Sequence, residues 1–399
     1  MKVLYISNRY RHYVRRTCSL MADVCDPVIL WVNPPLADEP VPAELEKRVR
    51  WQVLDPGRSD VIRPWQSLRS VRLAARILKL ARNVDWVISS TSDSWKSKVA
   101  FVAARAAGKR VAFVKERWID PEGLTRGLRG CNRRVQDALT RSIELHSDAL
   151  LPCGSKAQQY LIARGTDASK IFLFRSVPDD LASYTLNASL IANLHRMKGA
   201  GPVFLYLGRI MPQKGLLELV ASFREATHDA PQAKLWIVGA PISADTGRGR
   251  VSTDYYQECR RLAGTDERIV FFGPVTPQSV QNYYRVADVF VHPHVRMVGA
   301  RAVHEGWGHV IAEAASMAKP IITTDHVASA FDFVAPGKSG FVIDTHDLRQ
   351  GLVCAIRRFL EDPTAVPEFG TTSRQVFEAA GDPLASAQSL AAALETDAR

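Results

Sequence analysis

No two of the six cysteines (Cys18, Cys25, Cys131, Cys153, Cys259, Cys354) form a C-x-x-C pair, which excludes a zinc ribbon and argues against a disulfide framework. Reduced thiols in a cytosolic protein are expected. No stretch reaches the ~20 apolar residues that a membrane-crossing helix needs. The apolar run Val3-Leu4-Tyr5-Ile6 turns into Ser7-Asn8-Arg9-Tyr10 too soon for a signal-peptide core. No G-x-G-x-x-G follows that run, so a dinucleotide dehydrogenase loses its main support. No Asp-x-Asp pair is present to carry a metal-bound nucleotide. Pro336-Gly337-Lys338-Ser339 ends like a P-loop, but Asp332 stands where its first glycine would be. Acid is scarce in one half: residues 1–200 carry 33 Lys and Arg against 19 Asp and Glu, or +14 of the total +11, and the rest carries −3. That asymmetry points the first half at something anionic.

What is present is a globular composition, 46% hydrophobic and 23% charged, in 399 residues, enough for two or three domains. Short apolar, non-alternating runs recur at helix-length spacing. In the first half they are Val3–Ile6, Val28–Val32, Trp86–Ile88, Val111–Val114, Ala149–Leu151 and Ile171–Phe174. In the second they are Val203–Leu207, Leu235–Val238, Ile269–Phe272, Val289–Val291, Ile321–Thr323 and Phe341–Ile343. Such runs read as strands buried on both faces of a parallel sheet. The fold class is therefore α/β, two Rossmann-like doubly wound domains facing a central cleft. The segment 181–201, without strand signal and ending Gly199-Ala200-Gly201-Pro202, is a candidate hinge. The expected domains are 1–195 and 196–375, with a C-terminal helix over about 376–399 packing back on the first.

Ligands of open α/β sheets bind at the carboxyl ends of the strands, so motifs there carry weight. Gly208-Arg209-Ile210-Met211-Pro212-Gln213-Lys214-Gly215 follows a strand and puts two cations at its end. A guanidinium can fork onto a phosphate and an ammonium can act as a point charge; a surface turn with two solvated cations is the plain alternative. In His304-Glu305-Gly306-Trp307-Gly308-His309-Val310-Ile311-Ala312-Glu313, two glycines open a helix whose amides make an anion site. Glu305 and Glu313 would accept hydrogen bonds from the hydroxyls of a polyol, or be solvated glutamates beside a turn. His292 and His294 flank Pro293, and line the cleft as loop histidines rather than hold a metal.

Together these motifs resemble the retaining glycosyltransferases of family 4 (group 1), which have the GT-B fold. The resemblance runs through 200–345. It includes Ala287-Asp288-Val289-Phe290-Val291-His292-Pro293, Glu313-Ala314-Ala315-Ser316-Met317-Ala318-Lys319-Pro320, Gly337-Lys338-Ser339-Gly340-Phe341 and Phe272-Gly273-Pro274-Val275. It implies that Arg209 and Lys214 bind the diphosphate of a nucleotide-sugar donor, such as a UDP- or GDP-sugar, and stabilise it as it leaves. Gly208, Val275 and the Gly306-Trp307-Gly308-His309 stretch would line the donor site. Glu313 would take the ribose hydroxyls, and Glu305 the transferred sugar. Glu305, Arg209 and Lys214 are thus the implied catalytic residues, with no metal and no cofactor. Departures are Trp307 for a usual Phe, Ala318 for a usual Gly, and Ala328-Ser329-Ala330 with Asp332 in place of Gly-Gly and Glu. Ser7–Tyr10 lacks the usual paired glycines, and Val114-Lys115-Glu116-Arg117-Trp118 stands where the family often has a histidine.

The expected function is a retaining hexosyltransferase of polysaccharide biosynthesis, acting on a hydroxyl of a glycan or lipid-linked acceptor bound by the first domain. A non-catalytic nucleotide-sugar-binding protein and another GT-B enzyme, such as a nucleotide-sugar epimerase, are the alternatives. Within 63–82, Arg69, Arg72, Arg76 and Lys79 recur at helical spacing beside an apolar stripe of Trp65, Leu68, Val71, Ala75 and Leu78. Arg126, Arg129, Arg133 and Arg134 add to the charge. A solvated basic face on a packed helix is one reading. An anionic membrane surface is the other, and gives a cytoplasmic protein peripheral at the inner face. Nucleic acid is not expected, because the stripe lacks interleaved exposed aromatics.

Overall fold

The computed structural model describes residues 1–8, 10, 14–35, 40–54, 66–119, 128–241, 249–295 and 305–396, with side chains except at 66–69, 128–133 and 249–251. The chain divides into two compact units, one of residues 1–178 and 382–399, the other of residues 179–381.

The first unit is a parallel six-stranded sheet of β1 (Lys2–Ser7), β2 (Asp26–Trp31), β3 (Arg50–Val53), β4 (Trp86–Ser89), β5 (Arg110–Lys115) and β6 (Ala149–Pro152), ordered β3-β2-β1-β4-β5-β6. Its core holds Leu4, Ile6, Leu30, Val87, Val111, Phe113 and Leu150 from the strands, capped by Leu73, Ile77, Ala100 and Leu161 from helices. Two details differ from the sequence expectation. β3, Arg-Trp-Gln-Val, is a half-buried edge strand, and its polar residues hide it from a search for continuous apolar runs. Ile171–Phe174 is not a regular strand. It makes one parallel bridge to Leu150 and then hydrogen bonds from Phe172 N to Leu150 O and from Phe174 N to Pro152 O.

The second unit repeats the plan with β7 (Val203–Leu207), β8 (Lys234–Val238), β9 (Ile269–Gly273), β10 (Val289–His292), β11 (Ile321–Thr324) and β12 (Gly340–Ile343), ordered β12-β11-β10-β7-β8-β9. Counted from its own first strand this is the same order as in the first unit. Both are therefore doubly wound sheets whose winding reverses between their first and fourth strands.

Residues 179–195, assigned to the first domain on sequence, lie with the second unit. Arg374 forks onto Asp180 at 2.7 and 2.8 Å, Leu181 N donates to Ser316 Oγ at 3.3 Å, and Asn187 N donates to Asn282 Oδ1 at 2.8 Å. The helix Ala188–Lys198 that follows is pinned by Lys198 on Asp288 at 2.6 Å. Likewise the helix Ala365–Ala380 stays with the second unit through Phe369, whose ring is tilted against Phe341 (5.8 Å) and edge-on to Phe359 (5.5 Å). The return to the first unit starts at Asp382, whose carboxylate caps Leu384 N at 2.9 Å. The helix Pro383–Glu395 then buries Leu390, Ala393 and Leu394, and its end accepts hydrogen bonds from Trp86 Nε1 (3.1 Å) and Arg110 Nη1 (2.7 Å). Ala318, where a glycine is usual in the resembled family, has φ 54° after the helix His309–Ser316, a left-handed ending that glycine tolerates better.

Candidate functional site

Of the residues singled out by sequence, Arg209, Lys214, Glu305 and His292 come together beside the carboxyl ends of β7 and β10, the adjacent strands at which the second sheet reverses direction. After β7, Gly208 N donates to Val238 O at 3.0 Å and the Tyr206 hydroxyl donates to Arg209 O at 2.8 Å, fixing the turn. A short 3₁₀ turn, Pro212–Lys214, leads into Gly215, whose φ of 66° starts the helix Leu216–Ala226. The exit of β10 runs beside this turn: Val295 N donates to Gln213 O at 3.0 Å. A Cβ at Gly215 would sit 1.8 Å from Pro293 O, so the two segments approach only because residue 215 has no side chain.

The Glu305–Gly308 turn is held by the loop after β11. Glu305 N donates to His326 O (3.1 Å), Ser329 N to Trp307 O (3.0 Å) and Ser329 Oγ to Gly308 O (2.9 Å). Trp307 is buried with its ring edge-on to Phe333 at 5.9 Å, so its side chain anchors the turn from the core. Gly308, at φ 87°, caps the helix His309–Ser316 without a side-chain cap, and the first turn carries no acid. The amides at this positive end are arranged to receive an anion.

These two turns bring opposite charges together. Lys214 Nζ donates to Glu305 Oε2. Lys214 is only 7% exposed, and burial together with the Arg209 guanidinium lowers its ammonium to about 7. Arg209 itself is exposed. His292, the last residue of β10, is 1% exposed, with Nε2 3.9 Å from the same Glu305 oxygen. Burial, Lys214 and His294 hold its imidazole well below the usual range, hence neutral. The expectation of loop histidines lining a cleft is corrected here: His292 belongs to the strand, and both it and His294 are buried. Among the described residues no three His, Cys, Asp or Glu side chains gather as a metal site. Glu313, one helical turn further on, is buried, its Oε2 3.4 Å from the Tyr284 hydroxyl. Val275 lies half-buried just beyond β9. His304 lies outside the described residues.

Sequence reasoning passed over two residues of this cluster. Gly215 reads as a loop glycine until its approach to Pro293 is seen. Ser329 gives no signal, because its role is a hydrogen bond to a carbonyl 21 residues away.

The first unit qualifies two further expectations. Lys115 is sealed inside, paired with Glu144 at 2.7 Å and Asp93 at 3.1 Å, while Arg117 pairs with Asp137 at 2.9 Å. These charges serve one another. On the helix Gln66–Ala81, the buried seam is Leu73, Ile77 and Ala81, four residues apart, and not the expected stripe. Val71 (67% exposed) and Leu78 (40% exposed) share the outer face with Arg72 and Lys79. Arg76 is half-buried and donates to Gln52 Oε1. Trp65 and Arg126, and the side chains of Leu68, Arg69, Arg129 and Arg133, lie outside the described residues.

Comparison with known proteins agrees with this fold. Residues 201–362 match the family of group 1 glycosyl transferases. A capsular polysaccharide biosynthesis glycosyltransferase of Staphylococcus aureus is 27% identical over 192 residues, 48% of this chain and 45% of that protein. A GDP-mannose-dependent alpha-(1-6)-phosphatidylinositol monomannoside mannosyltransferase of Mycolicibacterium smegmatis is 29% identical over 176 residues, 44% of this chain and 43% of that one. The matched stretch thus spans less than half the length of these relatives. Across nearly the whole chain the fold matches Anabaena HepE, solved in complex with UDP (TM-score 0.74, 17% identity, 98% of each chain). It also matches WaaG, a glycosyltransferase of lipopolysaccharide biosynthesis (TM-score 0.69, 16% identity, 99% of this chain and 100% of that one). The two doubly wound sheets make this a GT-B fold.

Proposed function

We propose, on the premise that residues 201–362 belong to the group 1 glycosyl transferases, that this protein moves a hexose-type sugar from a nucleotide-sugar donor to an acceptor hydroxyl, with retention. The observation that carries the reading is the meeting of Lys214, Glu305 and an uncapped helix N-terminus at the sheet's reversal point. A departing nucleoside diphosphate builds negative charge on its leaving oxygen. Arg209, Lys214 and the Gly308–His309 amides are fixed positive groups that stabilise such charge without a metal ion. Glu305 contacts the transferred sugar and Glu313 the ribose. No protein nucleophile is required if the acceptor hydroxyl attacks the face that the leaving group vacates. The complex of HepE with UDP, a protein of the same fold, supports a nucleoside diphosphate as the recognised portion.

Calorimetric titration with UDP and GDP tests this, and Lys214 gives it a pH signature. The folded value near 7 lies below the ordinary lysine value of ~10.4. Between the two, the unfolded chain binds more protons, so this group's contribution to stability rises with pH across that window. Binding a diphosphate does the reverse and restores the proton. Affinity is therefore expected to fall by up to about tenfold per pH unit above pH 7, with proton uptake seen as a buffer-dependent heat. Absence of binding to either nucleotide would remove the donor site. Binding with no turnover of any nucleotide sugar, even slow hydrolysis, would leave a binding module. Full activity in EDTA is expected.

The acceptor, a glycan or lipid-linked saccharide, is assigned to the first unit, and the protein to the cytoplasmic face of a membrane. What supports the membrane is the outer face of Gln66–Ala81, where Val71 and Leu78 stand exposed beside Arg72 and Lys79. Each cation near an anionic surface contributes about 1 kcal/mol. Arg72→Gln with Lys79→Gln should lower co-sedimentation with phosphatidylserine-containing vesicles roughly tenfold or more. Equal sedimentation would return this face to solvent.

A further inference from the structure

His292 is buried beside Lys214 and Glu305, and the donor reading gives it no task. The residue is 1% exposed, yet neither ring nitrogen has a hydrogen-bond partner among the described residues. Buried polar groups are hydrogen-bonded in the great majority of cases, so two unpartnered nitrogens point to a partner from outside the chain. The ring is rigidly mounted. It lies nearly parallel to Tyr206 (centroids 6.4 Å apart, 17° between planes) and to Phe290 (6.3 Å, 10°). Its own carbonyl accepts from Thr323 Oγ1 at 3.0 Å and from His294 N at 3.1 Å, and β10 is paired on both sides, with β7 and β11. A side chain fixed in this way aims its nitrogens at one place. That place is beside Glu305, where Nε2 lies 3.9 Å from Oε2.

That distance is too long for a hydrogen bond. It suits the base of a triangle with one oxygen at the apex, about 2.8–2.9 Å from each atom. A sugar hydroxyl fits the apex chemically, because it donates to the carboxylate and accepts from the N–H of a neutral imidazole. Glu305 need give up no partner for this, since a carboxylate offers about four lone-pair positions. Its side chain is 21% exposed, so the pair is reached from the Glu305 side. We propose that His292 is a specificity-determining residue: with Glu305 it holds one hydroxyl of the transferred sugar, and so restricts the donor to hexoses that carry a hydroxyl there. This rests on the reading of Glu305 as the residue that contacts the transferred sugar. A deoxy sugar would set a C–H against a buried N–H and a carboxylate oxygen. Sites built to bond a hydroxyl reject such analogues far more strongly than an apolar pocket rejects an added hydroxyl.

UDP-glucose and GDP-mannose, each with its 2-, 3-, 4- and 6-deoxy analogues, test this. For the donor that the wild type turns over, by transfer or by hydrolysis, one analogue should lose at least about 100-fold in kcat/KM. His292→Phe keeps a flat ring between Tyr206 and Phe290 and removes both nitrogens. It should cost the parent donor roughly 10- to 100-fold and that one analogue less than about threefold, because the hydroxyl and the imidazole act through one bond. The Kd for UDP or GDP should stay within about twofold. A merely structural histidine would cost the parent and all its analogues alike, and that result overturns the proposal. Where His292→Phe does not fold, or neither donor is turned over, ¹⁵N-labelled histidine in the wild type gives the answer. A nucleotide sugar should move the His292 Nε2 resonance to that of a hydrogen-bonded N–H, and UDP or GDP alone should not. A resonance that is the same with the sugar as without it overturns the proposal while the donor site stands. Failure of the wild type to bind UDP, GDP or either nucleotide sugar overturns both.

Discussion

Lys214→Ala should slow sugar transfer by about 10²- to 10³-fold, the usual cost of removing one fixed donor from a developing charge. It should also weaken UDP or GDP at least tenfold, the scale of a charge-assisted hydrogen bond of ~1.5–3 kcal/mol. Three features place this effect above that of an ordinary lysine. The ammonium is buried, so its interaction with phosphate is little screened. It is one of two cations on the loop after β7, and the other, Arg209, is exposed and better screened. Its removal also takes the Lys214 ammonium away from the Glu305 carboxylate. This last term is separable. Lys214→Ala combined with Glu305→Ala should bind UDP or GDP more tightly than Lys214→Ala alone, although transfer stays lost. If Lys214→Ala binds both nucleotides as the wild type does, the ammonium is not a phosphate ligand and the donor site lies elsewhere.

Most of the second unit was legible because its chemistry is local. Each of β7 to β12 is a run of apolar residues, and the cations and glycines of the site follow strands within a few residues. What escaped was written across the chain. The edge strand β3 is half polar, and the outward direction of Val71 and Leu78 depends on which helical seam meets the sheet. An isolated helix pattern with two apolar faces leaves that choice open, and here the pair Leu73 and Ile77 wins it. The boundary at residue 178 is set by Asp180 with Arg374, a pair 194 positions apart. Lys115 lies in the stretch where the resembled family often has a histidine, and nothing in the sequence says that Glu144 and Asp93 close around it. At the site, the residue types could be read in order along the chain, but the pairing of Lys214 with Glu305, 91 positions apart, could not.

Gly215→Ala should be among the most disruptive single methyl groups in the second unit. Two costs add. At φ 66° an alanine suffers the left-handed penalty of about 1–2 kcal/mol. Its Cβ would also lie 1.8 Å from Pro293 O and 2.9 Å from Val295 Cγ1, and backbone cannot give way as a flexible side chain can. Together they should destabilise the second unit by roughly 3–5 kcal/mol, at the top of the range for single substitutions. That is on the order of 10 °C in the melting of a unit this size. Gly337→Ala supplies the control, since Gly337 has φ 73° and nothing within 4 Å of its Cβ position. It should cost only the left-handed term. The difference between the two variants in urea unfolding therefore isolates the collision with Pro293. Because relief requires the Lys214 loop to move off the exit of β10, Gly215→Ala should also lose UDP and GDP binding under conditions where it remains folded. Gly337→Ala should keep it. Equal stability of the two variants would mean that residues 215 and 293 do not touch, and the route by which Lys214 reaches Glu305 would have to be redrawn.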